Sequence, residues 1–242
     1  MQPRHTLLAA AAALAASGTV LAEDGREATA SLGLSINKGN TESERYNLAG
    51  DYLERSNDHR YSASLELNRG KDGDGEEDVN NSRLGVGYDR FFSGPWYGNS
   101  RLSWRQDRQA DLRQRYVASI GGGYQFFDDE RVRLSAESGP TYLSEEALAS
   151  GERTREAALR WALDYRHTFS EGALRFFHRH ELLVVTDDAD DWFLTTRTGL
   201  RMPLMDNLSA SLQLHYDYNN EPPSSAETEY DATTLVNLTY DW

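Results

Sequence analysis

The chain has 242 residues, a formal charge of −14, no cysteine and a mean hydropathy of −0.70. Without cysteine it has no disulfide framework, thiolate metal site or thiol nucleophile, and its acid excess argues against nucleic-acid binding. The hydropathy excludes a bundle of apolar helices in a membrane, but leaves room for a membrane protein built from strands.

Met1 to Ala22 reads as a secretory signal peptide. Arg4 and His5 form a basic start, Leu7 to Ala16 an apolar core too short to span a bilayer, and Val20-Leu21-Ala22 a small-residue cleavage site. Cleavage before Glu23 would leave residues 23–242 as a single domain with a charge of −15, since Arg4 is lost.

From there the pattern is a two-residue alternation, the mark of strands with chemically different faces. Ala30, Leu32, Leu34 and Ile36 alternate with polar residues, as do Tyr46, Leu48 and Tyr52. The same holds for Tyr61 to Leu67, Leu84 to Tyr88, Trp96 to Trp104 and Tyr116 to Tyr124. It continues through Val132 to Tyr142, and through Thr154 to His167, whose composition also suits a helix but whose alternation predicts a strand. Leu174 to Val184, Trp192 to Met202, Leu208 to Tyr218 and Ala232 to Trp242 complete the series.

Twelve segments of about ten residues suit tilted strands crossing a bilayer. Tight turns follow the even strands, at Ser56-Asn57-Asp58, Ser93-Gly94-Pro95, Asp128-Asp129-Glu130, Ser170-Glu171-Gly172 and Met205-Asp206-Asn207. Longer polar stretches follow odd ones: Gly70 to Asp78, Gln106 to Gln114, Leu143 to Arg153 and Asn219 to Glu229. This asymmetry predicts an all-β fold, an antiparallel transmembrane β-barrel of about 12 strands with short periplasmic turns and longer acidic outer loops. Aromatic residues beside the short turns (Tyr52, Tyr61, Tyr88, Phe91, Phe92, Trp96, Tyr124, Phe126, Phe127, Tyr165 and Phe169) suit an interfacial girdle.

A family resemblance rests on Gly39-Asn40-Thr41, Gly85-Val86-Gly87-Tyr88, Gly121-Gly122-Gly123-Tyr124, Glu137-Ser138-Gly139-Pro140-Thr141-Tyr142 and Tyr216-Asp217-Tyr218-Asn219-Asn220-Glu221-Pro222-Pro223 with the final strand. On these the chain resembles the domain-of-unknown-function family 481, which includes a protein described as a salt-induced outer-membrane protein. The resemblance implies an outer-membrane barrel and a link to salt or envelope stress, and it supplies no catalytic residues. Asp241 departs from the uncharged penultimate residue usual there.

The polar face is rich in charge. Arg83, Arg101, Arg105, Arg115, Arg133, Arg160, Arg175, Arg179, Arg197 and Arg201 share it with Glu66, Asp89, Glu137, Asp164 and Glu181. In a lipid-embedded barrel these line the lumen, either paired as a polar core or forming a small anion-preferring or solute-selective pore. The use of arginine, with Lys38 and Lys71 the only lysines, favours bidentate pairing. Asp72-x-Asp74-x-Glu76-x-Asp78 has the oxygen spacing of a calcium loop, yet Arg83 stands where its bidentate Glu belongs, so no EF-hand is expected. Further acidic groups, Glu145 and Glu146, Asp187 to Asp191, and Glu227 to Asp231, read as a solvated outer face, with loose association of lipopolysaccharide-bridging divalent cations as the alternative.

His178 and His180 are the only close histidine pair and fall on the apolar face, where ionisable groups are expensive. No His-Glu-x-x-His motif, phosphate loop or nucleophile elbow occurs, so no catalytic residue, cofactor or metal is expected. The sequence thus predicts a monomeric, non-enzymatic outer-membrane barrel of a Gram-negative bacterium, structural or a narrow small-solute pore. Its expected partners are outer-membrane lipid, lipopolysaccharide and the barrel assembly machinery, which would read the final strand ending in Trp242. Two alternatives remain: a lipid-active hydrolase at the outer leaflet, and a soluble periplasmic ligand-binding barrel.

Overall fold

The computed structural model describes residues 25–37, 43–56, 58–169, 172–222 and 229–242. The segment read as a signal peptide, Gly39-Asn40-Thr41, and parts of the turns at Asn57 and Ser170-Glu171 lie outside them, as does most of the last outer connection. Twelve strands form: β1 (Arg26–Asn37), β2 (Ser43–Ser56), β3 (His59–Asp72), β4 (Glu77–Ser93), β5 (Trp96–Asp107), β6 (Leu112–Asp128), β7 (Val132–Ala147), β8 (Arg153–Phe169), β9 (Leu174–Val185), β10 (Trp192–Met205), β11 (Leu208–Asn219) and β12 (Tyr230–Asp241). Each pairs antiparallel with its neighbours in sequence, and β1 with β12, so the sheet closes on itself. The segment that could have been a helix is β8.

Closure pairs the two edge strands with each other and so removes most of the unsatisfied edge that hydrocarbon would penalise. The closing seam is short: β1 meets β12 over Thr29 to Gly33 against Asn237 to Asp241. The start of β1 and the end of β12 lie at one end of the barrel, where the Trp242 N–H donates to Ala28 and the Arg55 N–H to Gly25. We call it the terminal end; the connections 94–95, 129–131 and 206–207 share it.

The barrel is apolar outside and polar inside. Leu34, Leu84, Val86, Leu102, Ile120, Leu212, Val236 and Leu238 are all exposed on the outer wall, whereas Asn47, Asp89, Asn99, Glu137, Arg160 and Asn237 are buried. A soluble barrel would show the reverse. A small apolar cluster does lie within, with Val117, Leu143 and Leu183 packed beside Phe193.

Two expectations need correction. Three of the four stretches read as long outer loops are about half strand: β3 runs to Asp72 and β4 begins at Glu77, leaving 73–76 as the turn, and the next two connections are 108–111 and 148–152. The fourth lies between β11, which ends at Asn219, and β12, which begins at Tyr230. Beyond a bilayer both faces of a strand are wet, so alternation fades while ladder pairing continues. Phe91, assigned to the girdle, points inward and packs on Tyr97 at 5.0 Å between ring centroids. It keeps the inward parity of Arg83 and Asp89, and the bulge comes only after it, between Phe91 and Ser93.

Candidate functional site

Alternation fixes which side chains enter the lumen; closure decides which of them meet. On β3, β4, β5, β7, β8 and β9 the inward charges form one chain of alternating sign. Arg60 donates to Asp89 at 2.6 Å and to Gln125 at 2.7 Å. Asp89 also accepts from Arg101, which reaches Glu137. Glu137 takes Arg160 at 2.9 Å, and Arg160 takes Glu181 at 2.5 Å. The Tyr97 hydroxyl donates to Glu137 at 3.1 Å, and the Arg60 guanidinium lies 4.9 Å from the Tyr97 ring centroid.

This chain steps over β6, and the glycine run explains how. A Cβ on Gly123 would stand 2.3 Å from the Tyr97 ring, and one on Gly121 2.2 Å from the Ser138 carbonyl oxygen. The bare position at Gly123 lets Tyr97 of β5 reach Glu137 of β7 across the intervening strand, and that at Gly121 lets the β6 and β7 backbones approach closely.

Other pairs join opposite walls. Arg83 of β4 and Arg105 of β5 meet Asp217 of β11 at 3.2 and 3.3 Å, and Arg197 of β10 joins the same carboxylate at 3.0 Å. Arg197 also faces Glu66 of β3 at 3.8 Å, and Glu66 lies 3.3 Å from His215. Arg179 of β9 bonds Asp164 at 2.9 Å and reaches Asp51 of β2 at 3.5 Å. Nearer the terminal end, Glu27 of β1 takes both Arg133 of β7 and Arg166 of β8 at 3.2 Å. Where an arginine and an acid from opposite walls touch, the bore is closed along that line.

Of the remaining sequence candidates, Arg115 pairs with Glu145 at 2.5 Å and stacks on Phe193, 4.1 Å from its centroid. Arg201 pairs with Asp241 at 2.5 Å, so the unusual penultimate acid points inward and closes an ion pair. Arg175 faces Arg201 directly across β9 and β10. Sequence reasoning missed Arg60, Tyr97 and Glu27 as members of the network; Arg60 precedes the first residue assigned to its strand, although its parity matches Glu66.

The acidic outer groups do separate work. Asp72 Oδ1 accepts the backbone N–H groups of Asp74 and Glu76, so the calcium-like spacing caps a tight turn. Glu145 and Glu146 belong to β7 and are paired to arginines. In the connection after β9, burial and the nearby Glu156, Glu221 and Glu145 push the Asp191 carboxyl up to about 6. Among the described residues, no three His, Asp or Glu side chains are placed to hold a metal ion.

His178 and His180 lie on the outer wall, between Phe176 and Leu182 along β9. The Trp161 indole N–H donates to His180 Nε2 at 3.0 Å; His180 Nδ1 and His178 Nε2 are 3.2 Å apart; and His178 Nδ1 is 2.7 Å from Thr198 Oγ1. Tryptophan can only donate, so neutral His180 carries its proton on Nδ1 and gives it to His178 Nε2. His178 then donates from Nδ1 to Thr198. A hydroxyl nucleophile needs the opposite polarity, with the imidazole accepting its proton, and Trp161 prevents it. The chain is instead a self-satisfied strip of polar groups in an apolar wall. His180→Leu should therefore cost about 1–3 kcal/mol of unfolding free energy by orphaning its two neighbours. Replacing all four residues together (W161F, H178L, H180L, T198V) should cost less than that single change, in denaturant titrations of the barrel in lipid vesicles.

A family model described as "Protein of unknown function, DUF481" matches residues 30–242. The uncharacterized protein YdiY of Escherichia coli (strain K12) is 24% identical over 145 residues, 58% of this chain and 53% of that protein. The chain thus spans about half the length of this curated relative. Among solved structures, the NanC porin is similar with a TM-score of 0.52 and 11% identity, over 89% of this chain and 98% of that one. The translocator domain of the autotransporter NalP from Neisseria meningitidis has a TM-score of 0.45 and 14% identity, over 98% of this chain and 92% of that one. At such identities the likeness to NanC is one of fold.

Proposed function

Since this chain belongs to the DUF481 family, whose function is unknown, we propose a role from its lumen: an outer-membrane barrel that passes ions and the smallest solutes through a bore narrowed by ion pairs, and not an enzyme. The observation that carries this is the set of wall-to-wall pairs, Arg179 to Asp51, Arg83 and Arg105 to Asp217, and Arg133 and Arg166 to Glu27. The apolar outer wall supports a lipid-facing position, with the terminal end periplasmic as in barrels of this type. Partners follow from that placement: lipid, lipopolysaccharide, and an assembly machinery that reads the final strand.

The same pairs give the link to salinity a physical form. The Debye length falls from about 10 Å at 0.1 M salt to about 3 Å at 1 M. The Arg179–Asp51 pair is half-exposed within the lumen, at 47% and 49% for the two side chains, so salt can reach it. In planar bilayers the refolded protein should give small unitary currents that rise more steeply with KCl than bulk conductivity does. Asp51→Asn should raise the conductance at low salt several-fold. Bilayers silent from low to high KCl for both proteins would overturn the pore and leave a purely structural barrel.

A further inference from the structure

Among the described residues, each inward-facing arginine of the strands lies within ion-pair distance of a carboxylate, with one exception, Arg175. Its neighbours on the same wall show the contrast: Arg166 has Glu27, Arg179 has Asp164, and Arg201 has Asp241. Arg175 is half-buried, and its nearest charged groups include two of its own sign. Arg201 stands directly opposite it in the β9–β10 register, and Arg166 lies beside it on β8, two places from its partner Thr168. Only Glu27 and Asp241 offset them; Glu27 is divided between Arg133 and Arg166, and Asp241 is held by Arg201.

Like charges directly opposed on neighbouring strands destabilise a sheet. A lumen that pairs its other inward arginines yet leaves three guanidiniums together near the terminal end is short of one negative group there. Guanidinium forks bind tetrahedral and planar oxyanions bidentately. We propose that Arg175, with Arg201 and Arg166, forms a binding site for a small free oxyanion of the phosphate or carboxylate class, entered from the terminal end of the lumen. The ligand comes from the aqueous bore and not from the bilayer, because all three side chains belong to the inward face. The site names a solute class for the pore proposed above and rests on that reading only in requiring access from one end. Passage through the barrel is not needed for binding.

The test uses the full-length mature protein refolded in detergent micelles at low ionic strength, with inorganic phosphate, and separately acetate, titrated by calorimetry. Wild type should bind phosphate saturably, and added NaCl should weaken the binding. Arg175→Gln should lose about tenfold or more in affinity, the scale of one charge-assisted contact. Arg175→Lys should fall between them, and Arg108→Gln, in the exposed connection at the far end, should match wild type. Arg175→Gln relieves a repulsion, so it should fold with stability at least equal to wild type when no phosphate is present. Folded wild type that binds neither anion, or an Arg175→Gln protein that binds as wild type does, would overturn the site. Binding with silent bilayers would remove the pore and keep the site.

Discussion

A loss of about 3–5 kcal/mol in unfolding free energy is the expected result of Glu137→Ala, the cost of removing one partner from a buried ion pair. Glu137 sits at the middle of the alternating chain and accepts from Arg101, Arg160 and Tyr97. Its side chain and that of Arg160 are each only 9% exposed. Without the carboxylate, two guanidiniums stay in the dry part of the lumen with too few acceptors, and water has little room to replace it. Glu137→Gln keeps an acceptor oxygen and should lose less. Asp164→Ala is the comparison: its pair with Arg179 is wet, with side chains 41% and 47% exposed, and such pairs contribute about 0–1 kcal/mol. Urea titration of the barrel in lipid vesicles, followed by tryptophan fluorescence, measures all three. Equal losses for Glu137→Ala and Asp164→Ala would show that the lumen is wet throughout.

Val236→Arg should cost about 2–4 kcal/mol, the penalty for arginine on the lipid face near the bilayer midplane. Val236 is 66% exposed on the outer wall, in a strand whose outward residues run from Ala232 through Leu238 to Tyr240. Nothing in the protein covers it, so the penalty measures the surrounding medium. Phe92→Arg, at 70% exposure beside the turn at the terminal end, should cost about 0–1 kcal/mol because the headgroup region can solvate the charge. The depth gradient is the diagnostic result. A soluble barrel would tolerate both changes alike and would stay in solution without detergent.

The strands were legible because lipid on one side and water on the other impose a period of two on every segment. That period also separates the inward arginines and acids from the outward apolar residues, as at Arg101, Arg105 and Glu137. It weakens where the physical contrast weakens. Asp72, Glu77 and Glu145 read as loop because strand ends beyond the bilayer are wet on both faces. Phe91 was misplaced because it was grouped with the girdle by residue type, although the alternation running through Asp89 already turns it inward. Partner choice was hidden for a different reason: whether Asp51 meets Arg179, or Asp217 gathers three arginines, depends on the curvature that closure imposes, and each residue reads only as polar and inward. The order of the histidine chain was legible only once Trp161 was in contact, since its single donor sets the direction of every later bond.

The seam between β1 and β12 is held by Thr29 to Gly33 against Asn237 to Asp241, whereas β1 pairs with β2 over its whole length. A ring with one short clasp tends to open there. The strands of the clasp are also tied from within: Glu27 anchors β1 to β7 and β8, and Asp241 anchors β12 to β10. The ionic bridges therefore act as spokes that fix the circumference as well as the bore. Weakening them would slacken the hoop at its clasp, coupling the salt content of the lumen to a sideways exit into the bilayer.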